Sequence, residues 1–129
     1  MRNQMRSRVL EVFESVDLVL TPCNSTVAFP VDADAVAVGT SGDTVVLSEP
    51  GGQSRLTTWL TLPWNLTGVP AVSIPSSSFS EGLPIAIQLA AAPLGERPLL
   101  RAASSYESAV GGFPTPIPTI PSRSDGLLA

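Results

Sequence analysis

The most informative segment of the chain reads LPWNLTGVPAVSIP over residues 62–75. Its first half predicts the end of a helix covering about 55–67, which Pro63 should kink or split because proline lacks a backbone donor. Gly68 fits the position just after a helix, where the chain commonly turns left-handed. The remainder, residues 70–75, predicts a strand bracketed by prolines. The segment therefore predicts a helix that leads directly into a strand.

A second segment, GLPIAIQL, covers residues 82–89. Ile85, Ile87 and Leu89 alternate with small or polar residues, and this period of two predicts another strand. The alternate positions are nearly apolar as well, so we expect layers on both faces of the sheet. The serine-rich residues 76–82 between the two strands predict a turn.

Two further segments have helical periodicity. Residues 5–16 carry an apolar stripe at helical spacing, formed by Met5, Val9, Val12 and Val16. Residues 95–110 predict the last helix, since Pro98 falls in its first turn and Gly111 with Gly112 follow its end. The tail after it, residues 111–129, has four prolines and no periodicity, so we expect it to be disordered.

The rest of the chain adds short strands. Residues 18–20 form an all-apolar run typical of a strand buried on both faces. Residues 35–38 and 44–47 flank a glycine-containing turn and predict a hairpin within the irregular stretch 23–55. The order of elements indicates an α/β fold. So few strands provide little sheet and leave open edges, which indicates part of a larger domain.

The amino-acid inventory excludes many catalytic mechanisms. The 129 residues carry a net charge of -4 and include neither Lys nor His. A Ser-His-Asp or Cys-His nucleophile, a Ser-Lys pair, a Schiff base and a P-loop each need one of these side chains. Cys23 is the only cysteine, so we expect a buried small residue rather than a nucleophile, and neither a disulfide nor a zinc site. We expect no metal and no cofactor.

Charge and hydropathy bear on partners and location. A pI near 4.5 without a basic cluster argues against nucleic acid binding. The longest uncharged run, residues 56–80, contains three prolines, which argues against a membrane span. Glu11 and Glu14 interrupt any signal-peptide core near the N-terminus. We therefore expect a cytoplasmic protein that contacts neither nucleic acid nor membrane.

Four segments together resemble the amidase signature family. Residues 62–75 look like the family's C-terminal Asn-Leu-(Ala/Thr)-Gly-x-Pro-Ala block, and residues 82–89 resemble its next strand, Gly-Leu-Pro-x-Gly-x-Gln-Leu. Residues 13–22, FESVDLVLTP, are similar to its helix-to-strand step, and residues 96–107 resemble its closing helix. The resemblance assigns residues 1–110 to the C-terminal segment of an amidase domain, with 23–55 as a variable insert.

The resemblance implies a fold and an activity. The fold is a mixed sheet sandwiched between helices, incomplete in this chain. The activity is hydrolysis of carboxamide C–N bonds by a Ser nucleophile that a second Ser and a Lys activate. Those residues lie in the N-terminal half of family members, and this chain has no Lys. We therefore expect no catalytic residues here, inactivity of the chain alone, and an N-terminal half and a small amide as partners.

The resemblance also implies roles for individual residues. Thr58 and Trp59 become candidate substrate-binding residues, although core packing is the alternative for Trp59. In glutamine-using amidotransferases of the family an Asp stands where this chain has Thr58, which favours a general amidase. Asn65 either orients the nucleophile loop or satisfies backbone groups as a buried helix-end side chain. The structural motif comprises Asn65, Gly68, Pro70, Pro75, Gly82, Pro84 and Gln88.

Two points stay open at this stage. The family usually has Gly where this chain has Ser77, Ala86 and Ala91, which matters only if those positions need positive φ. The alternatives to an amidase fragment are a non-catalytic interaction protein and one half of a split amidase completed by another chain. The fragment and the split enzyme both require a Lys- and Ser-bearing half elsewhere.

Overall fold

A computed structural model describes residues 1–38, 42–80 and 83–113 of the chain. The predicted tail lies outside the described residues beyond position 113. In chain order, the helices and strands are α1 (Arg2–Val12), β1 (Leu18–Pro22), β2 (Ala35–Val38), β3 (Asp43–Val46), α2 (Gly52–Thr57), α3 (Leu62–Thr67), β4 (Ala71–Ser80), β5 (Leu83–Ala91) and α4 (Glu96–Ala109).

The main sheet has three strands in the order β1-β5-β4. Both strand pairs are antiparallel, and Gln88 of β5 lies opposite Thr21 on one side and Ser73 on the other. Strand β5 ends in small side chains, with Ala90 and Ala91 almost completely buried. The α/β expectation is confirmed, and the strand pairs within the described residues are antiparallel.

Different elements meet the two faces of this sheet. On one face α4 packs against β4 and β5, and its apolar residues Leu99 and Ala103 are buried. On the other face the side chain of Gln88 reaches the carbonyl of Leu60, in the connection between α2 and α3. The expected helical layer is therefore confirmed on the face that α4 covers, and on the other face the described contact is with the connection between α2 and α3.

The predicted hairpin is also confirmed. Strands β2 and β3 pair antiparallel, from Ala35 opposite Val46 to Val38 opposite Asp43. Helix α2 packs against β3, and Gly52 at its start is buried. Residues 39–41 of the turn lie outside the described residues.

Two element predictions need correction. The helix expected over about 55–67 is split, one of the two outcomes predicted for it, but the break lies at residues 58–61 and not at Pro63. Pro63 lies in the first turn of the second helix, where its missing N–H would have no helical partner. The turn predicted at 76–82 is wrong for residues 76–80, which extend β4 beyond an irregularity between Pro75 and Phe79. Residues 81–82 lie outside the description.

Hydrogen bonds from two arginine side chains, rather than packing of its apolar stripe, attach helix α1 to α3. The Nε atom of Arg2 donates to the carbonyl of Leu66 at 2.8 Å, and the Arg6 guanidinium donates to the carbonyl of Thr67. Both carbonyls belong to the last turn of α3, where unpaired acceptors and the helix dipole favour a cation. None of the residues of α1 is buried, so its predicted apolar stripe packs little within the described part of the chain.

Strand β1 departs from its prediction in the same way. Leu18 and Val19 are half-buried, but Leu20 is 61% exposed. The expectation of a strand buried on both faces is therefore wrong for this chain as described. The exposed side chain lies on the face that α4 covers only over β4 and β5.

Leu94 offers a test of backbone strain. It has a φ of 65° and is 91% exposed, in a turn closed by a bond of 2.9 Å from the Gly95 nitrogen to the Ala92 carbonyl. We expect Leu94→Gly to raise the free energy of unfolding by about 1 kcal/mol, because glycine adopts this conformation without a Cβ penalty. Urea unfolding of the two chains measures the change.

The control for that variant is another exposed leucine, Leu100, which lies within α4. Leu100→Gly should lower the free energy of unfolding by about 1 kcal/mol, since glycine disfavours a helix interior. If both glycine variants lose stability alike, the turn carries no strain at Leu94.

Candidate functional site

A groove of about 550 Å³ opens beside the start of β5. We name it the β5 groove. Its walls come from the segment after β1, from the end of α2 and from the first half of β5. The lining residues are Pro22, Cys23, Asn24, Ser25, Thr26, Val27, Ala28, Phe29, Thr57, Pro84, Ile85, Ala86 and Ile87.

The segment after β1 is fixed in place by bonds to two elements. The Cys23 nitrogen donates to the Ala86 carbonyl at 3.2 Å, which extends the pairing of β1 with β5 by one residue. The Cys23 thiol, only 7% exposed, donates to Ser73 Oγ at 3.2 Å. The Ser25 hydroxyl donates to the carbonyls of Arg55 and Leu56 at 3.3 and 3.2 Å. The segment therefore bridges the sheet and the end of α2.

The side chain of Gln88 also connects β1, β5 and the segment that follows α2. It is 2% exposed, and its side-chain nitrogen lies 2.9 Å from Thr21 Oγ1, 3.3 Å from the Pro22 carbonyl and 2.8 Å from the Leu60 carbonyl. A buried amide needs such partners because unpaired polar groups lose their bonds to water. These bonds hold β1, β5 and the connection between α2 and α3 together.

The lining determines what the groove can do. Val27, Phe29, Ile85 and Ile87 supply apolar surface, while Ser25 and Thr57 supply hydroxyl groups. None of the described lining residues carries a charge at neutral pH, and the chain contains no His or Lys. Such a lining can bind and orient a small molecule, but it offers no general base to activate a hydroxyl nucleophile.

The two candidate substrate-binding residues lie next to this groove rather than in it. Thr58 caps the end of α2, and its hydroxyl donates to the Ser54 carbonyl at 2.8 Å. Trp59 is 65% exposed in the described chain, and the choice between substrate contact and core packing stays a prediction. Trp64 is half-buried. The residue that reaches the groove from this helix is Thr57, which the sequence pattern did not single out.

The motif residues occupy structural positions. Gly68 has a left-handed φ of 68° and its nitrogen donates to the Trp64 carbonyl at 2.9 Å, as predicted for a helix end. The Pro70 carbonyl accepts from the Ala91 nitrogen, and Pro75 lies opposite Ala86. Pro84 lines the groove, and Gly82 lies outside the described residues.

Asn65 differs from its expectation. It is exposed rather than buried, on α3. Its backbone nitrogen donates to the Thr61 carbonyl at 3.3 Å, an ordinary helical bond. The choice between its two proposed roles stays a prediction.

Alanine is compatible with the positions where the family usually has glycine. Ala86 and Ala91 lie in β5, so the backbone there is extended and needs no positive φ. Ser77 lies in the irregular part of β4 between Pro75 and Phe79, so the question stays open at that position. Space matters at Ala91, because a Cβ placed on Gly95 would lie 2.8 Å from its methyl group. This position needs a small side chain, and alanine satisfies it.

Metal ligands and membrane-spanning helices are not found in the described ranges 1–38, 42–80 and 83–113. There, no three His, Cys, Asp or Glu side chains come together as metal ligands would. No described helix has the length and apolar content needed to cross a membrane.

Comparison with known proteins then assigns the chain to a family. The family model described as Amidase matches residues 1–100. The chain belongs to the amidase signature family. Its β5 groove is therefore a feature of part of an amidase-type domain, a family whose members act on amide C–N bonds.

Curated relatives of this amidase-family chain are components of an amidotransferase. The A subunit of glutamyl-tRNA(Gln) amidotransferase from Prochlorococcus marinus (strain MIT 9211) is 40% identical over 100 residues, which is 75% of this chain and 17% of the relative. The corresponding protein of Chloroflexus aggregans (strain MD-66 / DSM 9485) is 38% identical over 97 residues, with the same coverage. The chain thus spans about a sixth of the length of these relatives.

Solved structures agree with the fold. The A subunit of glutamyl-tRNA(Gln) amidotransferase from Thermotoga maritima is 27% identical, with a TM-score of 0.72 over 89% of this chain and 23% of that protein. A crystal structure of an amidase is 24% identical, with a TM-score of 0.71 over 84% of this chain and 23% of that protein. The expected fold, an incomplete amidase-type α/β domain, is confirmed.

Proposed function

We propose that this chain is the C-terminal segment of an amidase that hydrolyses carboxamide C–N bonds, and that it is inactive alone. The observation that carries the proposal is the family match over residues 1–100 combined with coverage of only 17–23% of the related proteins. The absence of any Lys from the sequence supports inactivity, because the mechanism implied by the resemblance needs one.

In this proposal the β5 groove forms one wall of the pocket for the acyl group of the amide. Its apolar side chains would contact the substituent, and the Thr57 hydroxyl would orient a polar atom, as in most small-molecule sites. Thr58 and Trp59 are proposed to contact substrate as well. Both are exposed beside the groove, and Trp59 presents a large aromatic surface to whatever completes the domain.

The remaining proposals concern organisation. Residues 1–110 are proposed to be one segment of the amidase domain, which agrees with the end of α4 at Ala109 and the positive φ of Gly111 and Gly112. The partner is the Ser- and Lys-bearing N-terminal half, in the same or a separate chain. The motif residues Asn65, Gly82 and Gln88 are proposed to be structural. A cytoplasmic location is proposed from the single cysteine, since extracellular chains of this size commonly use disulfide pairs.

The test measures ammonia release from small primary amides. The 129-residue chain is assayed alone and together with the Thermotoga maritima protein from which the segment matched by this chain has been removed. We expect no hydrolysis by either component and at least about 100-fold higher ammonia release from the pair, because only the pair combines the nucleophile with a complete pocket. Hydrolysis by the chain alone would refute its proposed inactivity.

A substitution in the β5 groove shows whether this wall contacts the substrate of the assembled pair. Ala86→Phe places a phenyl ring in the β5 groove and should lower kcat/KM of the pair at least tenfold, because the ring occupies space that the acyl group needs. The matched control is Ala35→Phe at an exposed position of β2, which should change kcat/KM less than twofold. A pair that assembles and releases no ammonia would favour a non-catalytic interaction protein.

A further inference from the structure

Two hydroxyl groups belong to the α2 side of the β5 groove. Thr57 is the last residue of α2, and Ser25 is bonded to the last turn of the same helix. Both residues are exposed and line the groove, so a bound molecule can contact them. The opposite wall is formed by apolar side chains of β5, which include Ile85 and Ile87.

The protons of both hydroxyl groups are already used within the chain. The Thr57 hydroxyl donates to the Gln53 carbonyl of the preceding turn at 3.0 Å, a common arrangement for threonine in a helix. The Ser25 hydroxyl donates to the carbonyls of Arg55 and Leu56, which lie in the last turn of α2. A hydroxyl group has one proton and two acceptor sites. Both groups therefore meet a ligand as hydrogen-bond acceptors.

Asn24 contributes to the same arrangement. With its amide oriented so that donors meet acceptors, its side-chain nitrogen lies 3.0 Å from the Cys23 carbonyl and 3.1 Å from the Thr57 carbonyl. Its N–H groups are therefore used within the chain too, and they tie the segment after β1 to the end of α2. The hydroxyl of Thr26, which also lines the groove, has a rotatable proton and can donate or accept.

The groove also lacks a charge that could pair with an ion. None of its described lining residues is charged at neutral pH. A carboxylate or an ammonium group in the groove would lose water without gaining a counter-charge, and a carboxylate would in addition face the acceptor oxygens of Ser25 and Thr57. An uncharged O–H or N–H group avoids the first cost and supplies the proton that these oxygens can accept.

These observations define a class of substrate. We propose that the β5 groove selects acyl groups with an apolar body and an uncharged hydrogen-bond donor, which Thr57 and Ser25 accept. The inference rests on the proposed function for the reaction and adds the chemistry that the acyl group must have. The groove volume of about 550 Å³ is in the range of small-molecule sites. Thr57 and Ser25 are then residues that determine specificity.

The first experiment measures binding to the full 129-residue chain by NMR chemical shifts of the groove residues. The probes are the N,N-dimethylamides of para-hydroxyphenylacetic acid and para-methoxyphenylacetic acid. Their amide nitrogens carry no proton, so the phenol of the first probe is the only donor in the pair. We expect the phenol to bind about tenfold more tightly than its methyl ether, because the ether oxygen can only accept.

Variants assign that preference to the two hydroxyl groups. The double variant Ser25→Ala, Thr57→Val removes both acceptors and should reduce the preference for the phenol to less than threefold. Thr57→Ser retains a hydroxyl group and should keep the preference. The matched control is Thr61→Val, since the Thr61 hydroxyl also donates to a backbone carbonyl, at 3.1 Å, but does not line the groove. The preference should be unchanged in this control.

A second experiment separates this inference from the proposed function. The chain is paired with the Thermotoga maritima protein lacking its matched segment, and kcat/KM is compared for the primary amides of the same two acids. Preferential binding of the phenol without hydrolysis of either amide supports the groove chemistry and contradicts the proposed function. Hydrolysis of both amides with equal kcat/KM supports the proposed function and contradicts the inference.

Three binding results would overturn the inference directly. They are equal or tighter binding of the methyl ether, a preference for the phenol that survives in the double variant, and unchanged shifts of the groove residues with both probes. A para-carboxyphenyl probe extends the test to charge. It should bind at least tenfold more weakly than the phenol, and equal binding would contradict the selection of uncharged groups.

Discussion

Replacing Gln88 by leucine is expected to lower the free energy of unfolding by about 3 kcal/mol. Its amide nitrogen lies within hydrogen-bond distance of a hydroxyl and two carbonyls in the part-buried junction of β1, β5 and the α2–α3 connection. Leucine fits the volume approximately but leaves Thr21 Oγ1 and the carbonyls of Pro22 and Leu60 without that donor. Part-buried acceptors that lose their donor add a desolvation cost to the loss of the bonds themselves.

Urea unfolding followed by the fluorescence of Trp59 and Trp64 measures this loss. The matched control is Gln53→Leu, at an exposed glutamine of α2, which should change the free energy of unfolding by less than about 0.5 kcal/mol. Equal effects of the two substitutions would show that the Gln88 bonds contribute no net stability. A result near zero for both would place the main stability of the chain outside this junction.

The same variant has a local consequence for the β5 groove. Thr57 and the segment after β1 reach the groove from elements that Gln88 joins to the sheet. Losing those bonds allows the α2–α3 connection to move away from β5. We therefore expect Gln88 to hold the groove wall in position as well as to stabilise the chain.

The sequence predicts well the elements that local chemistry determines. Strand β5 follows from the alternation of isoleucine and leucine, and α4 follows from its apolar stripe between Pro98 and Gly111. Gly68 ends its helix because only a residue without a Cβ turns left-handed at low cost. These features depend on interactions between residues that are close along the chain, so they can be predicted from the sequence alone.

Predictions of burial fail where they depend on the rest of a domain. Leu20 and the stripe of α1 are apolar in the sequence, as residues of a core are, yet Leu20 is 61% exposed and no residue of α1 is fully buried in the described chain. A prediction of burial from composition assumes that a covering layer exists. The chain matches only 17% of its relative from Prochlorococcus marinus, so the layer that such a prediction assumes need not be contained in this chain.

The candidate site was only partly accessible from the sequence. Gln88 was found as a motif residue, but its acceptors lie 28 to 67 positions away along the chain. The β5 groove combines three segments separated by similar distances, and Thr57 carries no local signal that distinguishes it from Thr58. Such a site depends on tertiary packing, which periodicity and motif spacing do not encode.

Gly52→Ala is expected to lower the free energy of unfolding by more than about 3 kcal/mol, the largest of the expected effects. A Cβ at this position would overlap the Val46 carbonyl oxygen and lie 3.3 Å from the Leu47 Cα, both backbone atoms that no rotamer change can move. Helix α2 would therefore have to shift away from β3. The measurement is urea unfolding monitored by far-ultraviolet circular dichroism.

A substitution at the neighbouring Gly51 distinguishes steric overlap from backbone strain. Gly51 has a φ of 79°, but a Cβ there would meet only the Ser54 hydroxyl at 3.7 Å. Gly51→Ala should therefore cost about 1 kcal/mol from conformation alone. A loss at Gly52 no larger than that at Gly51 would mean that α2 and β3 separate easily. Since Ser25 bonds to the last turn of α2, such a loose contact would also leave the β5 groove without a fixed wall.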